Sequence, residues 1–341
     1  MKSGGVTTIK DIAREAGFSV STVSRVIAGH PDVSAATATA VQAVIDRRHF
    51  MVNRNAANLK RLESKTILVV AKGRHNLLFA SMLEYVQAKV QATGYTVATW
   101  YIDEDANEVA EAERLVSEVK PKGIVFLGGE SENVASSANR VGPDCPAVVL
   151  TNSVAAAGRL GVSSVTTNDR AAGRLAVEHL LTRGHTRIGV IGGNPETSLI
   201  SRNRQHGVMD ALDTAGLPFD PRWYVATHYS LQSGYTAAGR LIDDAPNITA
   251  IYAMSDIMAI GVLQALHERS VGVPDDISLI GHDGIELASY VVPRLVTIRQ
   301  PQELIATRGV NILMNHIDGN LTPVEQFEDV SIVAGESVRT L

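Results

Sequence analysis

The stretch Thr8-Ile9-Lys10-Asp11-Ile12-Ala13-Arg14-Glu15-Ala16-Gly17-Phe18-Ser19-Val20-Ser21-Thr22-Val23-Ser24-Arg25-Val26 decides how the N-terminal part of the chain folds. Thr8 and Asp11 have the spacing of a capping box, and Ile9, Ile12, Ala13 and Ala16 recur at helical intervals. Gly17 supplies a stop, and Ser19 can cap a second helix that turns Val23, Val26 and Ile27 inward. Val20, Ser21, Thr22, Ser24 and Arg25 then fall on its other faces. Gly29 and Pro31 end that helix, and a third starts at Ser34 with Ala38, Val41, Val44 and Ile45 as its apolar stripe. Three short helices with a glycine turn between the first two describe a helix-turn-helix unit, whose second helix enters the DNA major groove. Small hydroxyl side chains approach phosphates closely, and an arginine can fork onto a guanine edge.

Charge separates along the chain in a way that supports this. The whole sequence has a formal net charge of -5, but residues 1–61 carry nine Lys/Arg against four Asp/Glu, a net of +5. The remaining 280 residues hold 22 basic and 32 acidic side chains, a net of −10. A phosphate-seeking surface therefore occupies the first sixth of the chain, and the rest repels DNA.

From Thr66 onward, short apolar runs alternate with amphipathic helical stretches. Strands are predicted at 67–71, 95–102, 123–127 and 147–151, then at 162–167, 187–192, 225–227, 250–254 and 277–281. The intervening helices include one over 79–92, one over 169–182, one over 204–215 and one over 256–269. Such alternation indicates an α/β body of parallel sheets with right-handed crossovers, here in two successive lobes. Ligands of open parallel sheets bind at the carboxyl ends of the strands, so the cleft between two lobes is the expected site.

The stretch Ile9–Ala13 through Ala16-Gly17 and Val20–Val26 resembles the lactose-repressor/galactose-repressor (LacI/GalR) family. The resemblance implies that Val20, Ser21 and Arg25 read bases, and that Ser19, Thr22, Ser24, Ser34 and Thr37 contact phosphates. Val20 cannot donate a hydrogen bond, so its share is contact with a thymine methyl. The next stretch, Phe50 to Leu59, is similar to the family's hinge helix, which implies DNA contacts for Asn53, Ala56 and Leu59, with Leu59 as a minor-groove wedge. Val52 stands where the family has a proline. Three later stretches extend the likeness over the body. Val177–Leu180 with Arg183–Gly189 matches a signature to which packing and helix termination are assigned. Arg204-Gln205-His206-Gly207 matches an Arg-x-x-Gly whose arginine holds effector oxygens, and Gly281-His282-Asp283 a Gly-x-Asp whose aspartate binds effector hydroxyls or amines. By position, Asn76, Phe79, Tyr229 and Ser255 complete the implied effector site, with packing or capping as the alternative for Asn76, Tyr229 and Ser255. Arg204 and Asp283 could instead pair as an interlobe salt bridge, and Asp256 reads as a helix cap. Thr151 replaces an aspartate common in sugar-binding members, which admits a sugar acid or a phosphorylated sugar as effector, and the usual Asp-Asn pair reads Asn168-Asp169.

The domains expected are a helix-turn-helix headpiece over 1–52, a hinge helix over 53–61, and a periplasmic-binding-protein-like body over 62–341. Its lobes are placed at 62–161 with 294–323, and at 162–293 with 324–341. The function expected is a dimeric regulator, a repressor before an activator with the sign left open, that binds a pseudo-palindromic double-stranded operator under the control of a carbohydrate-like effector. The chain starts without an apolar leader and contains no apolar run of membrane-spanning length, so a cytoplasmic protein without a membrane partner is expected. A solute-binding protein of periplasmic type is the competing reading, since the body alone would serve it. An enzyme is not expected: there is no P-loop and no Gly-x-Ser-x-Gly, and Gly192-Gly193 is too short for a dinucleotide fingerprint. The ten histidines show no paired metal spacing, and the one cysteine, Cys145, reads as a packed apolar side chain, so neither metal nor cofactor is expected.

Overall fold

The computed structural model describes residues 8–27, 30, 32–48, 65–73, 76–103, 106–129, 145–153 and 161–341. The chain divides into two compact units, Met1–Glu63 and Ser64–Leu341.

In the first unit, α1 (Ile9–Ala16), α2 (Val20–Ile27) and α3 (Ala35–Arg47) enclose a small core of Ile12, Ala13, Val23, Val41, Val44 and Ile45. These are residues of the expected stripes, because at 3.6 residues per turn each stripe faces the other two helices. Asp11 closes α1 by accepting from the Thr8 amide at 3.0 Å and the Thr8 hydroxyl at 2.6 Å. Gly17 ends it with φ 74°, a left-handed conformation that costs glycine nothing. Ser19 and Ser34 cap α2 and α3, accepting from the amides of Thr22 at 3.1 Å and Thr37 at 3.2 Å. Phe18, assigned to no stripe in the sequence, packs on this core from the turn.

Among the described residues, the second unit contains two six-stranded sheets. The first has the order β11-β5-β4-β3-β1-β2, formed by β1 (Thr66–Lys72), β2 (Thr96–Ile102), β3 (Gly123–Leu127), β4 (Ala147–Leu150), β5 (Val162–Thr167) and β11 (Glu325–Glu328), all parallel. The second has the order β12-β10-β9-β8-β6-β7, from β6 (Ile188–Gly192), β7 (Tyr224–Ala226), β8 (Ala250–Ala253), β9 (Ser278–Asp283), β10 (Val296–Arg299) and β12 (Ser331–Val333); only β12 runs antiparallel to its neighbour. The α/β class with parallel sheets is thus as expected, but the lobe boundaries are not. β5, placed at the start of the second lobe, pairs with β4 in the first sheet through Leu150 and Val165. β10, placed in the first lobe, pairs with β9 in the second, and β11, placed in the second, pairs with β5 in the first. Sheet membership depends on pairing across the chain, and a crossing between lobes leaves no mark in local periodicity.

Helices α4 (Leu77–Ala92), α5 (Glu108–Val119) and α10 (Gln302–Ile317) cover the first sheet. Around the second lie α6 (Asp169–Leu181) and α7 (Leu199–Thr214) as one packed pair, and α8 (Leu231–Asp244) and α9 (Asp256–Glu268) as another. The α6–α7 pair is close enough that a Cβ on Gly173 would lie 2.2 Å from the Arg204 carbonyl oxygen, and one on Gly207 would lie 2.0 Å from that of Arg170. That explains the glycine of Arg-x-x-Gly: the backbone of one helix rests against the other. His185 is buried, its Nδ1 3.0 Å from Thr249 Oγ1 and its Nε2 3.1 Å from the Arg339 carbonyl oxygen, a packing role for its stretch. Cys145 is buried as well, and burial pushes its thiol up to about 12. Among the described residues no helix is long and apolar enough to cross a membrane, and no group of His, Cys, Asp and Glu could hold a metal ion.

Candidate functional site

On the headpiece, the side chains of Ser19, Val20, Ser21, Ser24, Arg25 and Ser34 are exposed, and those of Thr22 and Thr37 are half-buried. The Ser19 hydroxyl lies 2.7 Å from that of Ser21 and 2.8 Å from that of Thr22, so three hydroxyls cluster at the start of α2. Ser34 and Thr37 repeat the arrangement at α3, with hydroxyls 2.9 Å apart. Helix N-termini with exposed hydroxyls and free amides suit phosphate oxygens. Glu15 draws Arg47 and Arg48 to itself at 3.3 and 2.5 Å, linking α1 to α3, whereas Arg25 has no ion-pair partner among the described residues. Asn53, Ala56 and Leu59 lie outside the described residues, as do Gly29 and Pro31.

The body has a cavity of about 590 Å³ bordered by residues of both sheets and their helices. All six residues singled out in its sequence border it: Asn76, Phe79, Arg204, Tyr229, Ser255 and Asp283. Each is held by its local structure. Asn76 caps α4, accepting from the Leu78 amide at 3.0 Å, and Phe79 follows in the first turn of that helix. Ser255 caps α9, accepting from the Met258 amide at 3.2 Å. Tyr229 places its hydroxyl 2.9 Å from that of Ser201.

Arg204 does not open a helix as its sequence context suggested. Ser198 caps α7 and the helix begins at Leu199, which puts Arg204 in its second turn. There the guanidinium donates from Nε to Asp169 Oδ1 at 2.8 Å and from Nη1 to the Met254 carbonyl at 2.6 Å. The exchanged pair Asn168-Asp169 accounts for this: Asn168 caps α6 by accepting from the Ala171 amide at 3.0 Å, and Asp169 is left to hold the arginine.

Asp283 ends β9 with φ 108°, a backbone conformation costly for any residue but glycine. It forms no salt bridge to Arg204; Gln300 Nε2 donates to its Oδ1 at 2.9 Å. Burial pushes its carboxyl up to about 7, against the pull of Arg204 and the Gln300 hydrogen bond. Asp256 is not the cap of α9, a place Ser255 takes. Its buried carboxylate accepts from the Thr297 hydroxyl at 2.6 Å and the Ile285 amide at 2.9 Å, and burial, with Asp283 nearby, pushes it up to about 8. A Cβ on Gly281 would lie 2.2 Å from Asp256 Oδ1, so the glycine of Gly-x-Asp makes room for this carboxylate. His282, the residue between, turns away from the cavity and meets the Tyr252 hydroxyl at 2.8 Å through Nδ1; burial holds it well below the usual imidazole range, hence neutral.

Residues that the sequence did not single out also border the cavity, among them Lys72, Asn152, Asn194, Ser198, His228 and Gln300. Lys72 had one signal, its place directly after the apolar run of a strand. Gln300 lies between β10 and α10, where no periodic pattern marks it. Among the described residues the cavity therefore offers donors from lysine, arginine and amides, one carboxylate acceptor, and an aromatic wall from Phe79 and Tyr229. That composition suits a small polar molecule with several oxygens.

Residues 8–53 match the family described as bacterial regulatory proteins, lacI family, and residues 177–338 match the periplasmic binding protein-like domain. The chain is 30% identical over 312 residues to the ribose operon repressor of Haemophilus influenzae, covering 92% of each chain. It is 32% identical over 315 residues to the HTH-type transcriptional regulator MalR of Clostridium butyricum, covering 91% of this chain and 92% of the relative. Among solved structures, the transcriptional regulator CelR–cellobiose complex is similar with a TM-score of 0.70 at 25% identity, covering 97% of this chain and 99% of that one.

Proposed function

Since the chain belongs to the LacI family of bacterial regulatory proteins, a transcriptional repressor with a DNA-binding and an effector-binding domain, we propose that it binds a pseudo-palindromic operator as a homodimer, under the control of a carbohydrate-like molecule in the cavity of its body. Ser19, Thr22, Ser24, Ser34 and Thr37 take phosphates, and Val20, Ser21 and Arg25 read bases; Asn53, Ala56 and Leu59 of the hinge contact the minor groove. Asn76, Phe79, Arg204, Tyr229, Ser255 and Asp283 hold the effector. A ligand that bridges the two lobes favours one degree of closure, and the hinge transmits that preference to the headpieces. Operator DNA places such a protein in the cytoplasm.

The observation that carries this reading is the convergence of Arg204 and Asp283 on one cavity, the first fixed by a buried carboxylate and the second held in a strained conformation. Strain persists where the surrounding structure enforces it, and a ligand site is where such residues gather. For the homodimer, support comes from Leu287, Tyr290 and Val292, apolar side chains 41%, 73% and 93% exposed within a short stretch. Clustered exposed apolar groups mark an interaction surface, and a second copy of the chain satisfies it by symmetry. A solute-binding protein would have no use for the headpiece. Gel-shift on palindromic DNA, with and without a panel of sugars, tests the whole reading; a chain that shifts no palindrome, or whose shift ignores every sugar derivative, would refute it. Sedimentation of Tyr290→Asp beside the parent tests the dimer.

A further inference from the structure

We infer that the effector carries an anionic group, a carboxylate or a phosphate, and that Lys72 selects it over the matching neutral sugar. This rests on the cavity being the effector site. Lys72 is the last residue of β1, a strand whose preceding residues Ile67–Ala71 are all buried and apolar. Its Nζ donates to Glu108 Oε2 at 3.1 Å, with side chains 17% and 1% exposed. A buried ion pair is seldom more stabilising than apolar side chains of the same volume, so stability gives no reason for one here. An ammonium has three donors, and among the described residues Glu108 is the one partner of this one. Lys72 borders the cavity and Glu108 does not. The carboxylate thus holds the ammonium from behind, and the remaining donors are left for a ligand.

The neighbouring strand ends extend this surface. Register pairs Ala71 with Leu127 and Leu127 with Leu150, so Lys72, Gly128 and Thr151 follow one another across β1, β3 and β4. Gly128 has no side chain to block the way from Lys72 to Thr151; a Cβ there would lie 2.9 Å from the Phe79 ring. Thr151 is 5% exposed, its Oγ1 has no hydrogen-bond partner among the described residues, and its φ of 76° is rare for a β-branched residue. A buried hydroxyl without a partner is costly, and a ligand oxygen at this spot would supply the missing bond.

The electrostatics of the whole cavity agree. Among the described residues, Lys72 and Arg204 border it against one carboxylate, Asp283, which burial already disfavours as an anion. Asp169, like Glu108, stands behind its cation and does not border the cavity. Asn76, Ser198 and Ser255 border it too, which brings the N-termini of α4, α7 and α9 to its rim, each with the partial positive charge of a helix start.

The test is calorimetry on the full chain with matched triplets: a neutral hexose, its uronic acid and its 6-phosphate, then a pentose with its acid and 5-phosphate. One charged member is expected to bind roughly tenfold to a hundredfold tighter than its neutral parent. Lys72→Met should reduce the ratio between charged and neutral affinities to within about threefold, while Lys72→Arg keeps it. Whether acid or phosphate prevails identifies the anion. If Lys72→Met fails to fold because Glu108 loses the ammonium beside it, Lys72→Met with Glu108→Gln removes both charges and gives the same comparison. A neutral sugar that binds as tightly as its charged forms, with no loss on Lys72→Met, would overturn the anion and leave the effector cavity standing. If no triplet member binds, the carbohydrate-like effector itself is wrong and the inference falls with it.

Discussion

Arg204 and Asp169 form an ion pair at 2.8 Å, with side chains 5% and 9% exposed, that joins α7 to the first turn of α6. The Met254 carbonyl takes a second donor of the same guanidinium at 2.6 Å. The fork is therefore held in place before any ligand arrives, so little side-chain freedom is lost on binding.

Breaking that pair from one side should be expensive. Asp169→Ala leaves a buried guanidinium uncompensated and should destabilise the body by about 3–5 kcal/mol, whereas Asp169→Ala with Arg204→Met should recover most of the loss. Urea unfolding of the three chains checks it; equal stability of the single and double variants would contradict this account.

Effector affinity should depend on Arg204 and Asp283 separately. Arg204→Ala or Asp283→Ala leaves a desolvated ligand group unpaired and should weaken binding by about 2–4 kcal/mol, with operator binding in the absence of effector unchanged. Calorimetry and gel-shift read the two effects. Binding indifferent to both changes would place the effector elsewhere.

The pH dependence of stability has a defined sign. Asp283 has its carboxyl pushed from 3.8 to about 7 in the folded chain, mainly by burial. Its contribution is fully present below about pH 4, where the carboxyl is protonated folded and unfolded, and is lost as pH rises through about 7. Asp283→Asn cannot ionise, so its melting temperature relative to the parent should climb by a few degrees between pH 5 and pH 8, at about 2–4 °C per kcal/mol. A difference that stays level or falls would show that Asp283 is ionised throughout.

The glycine contacts predict a coupled loss. Gly173→Ala would place a methyl 2.2 Å from the Arg204 carbonyl oxygen, so α6 and α7 must separate. The expected cost is about 1–3 kcal/mol, with weaker effector binding because Arg204 moves with its helix. Thermal unfolding reads the first effect and ligand titration the second.

On the DNA side, affinity for any duplex should fall steeply with salt, because binding rests on Lys and Arg at phosphates and releases counterions. Arg25→Ala should cost about 1–3 kcal/mol and relax base preference at one position of each half-site. Anisotropy titrations on operator and random DNA at two salt concentrations separate these effects. Equal losses on both DNAs would make Arg25 a phosphate contact.

The headpiece was legible in the sequence because it is local. Thr8, Gly17, Ser19 and Ser34 punctuate three helices, and the stripes they bound are the observed core, since helical period and capping act within a few residues. The alternation of strands and helices in the body was legible for the same reason. Only the tertiary structure decided which sheet takes β5, β10 and β11, because the partner of Val165 is as near as Leu150 and as far as Gln326, and period alone does not choose. It alone decided that Asp169 holds Arg204, that Asp256 lies against Gly281, and that Lys72 and Gln300 border the cavity, for these are meetings of strand ends and helix starts far apart in the chain. A residue type and its neighbours determine which face is buried; what that residue touches is set by packing between elements, which no short stretch encodes.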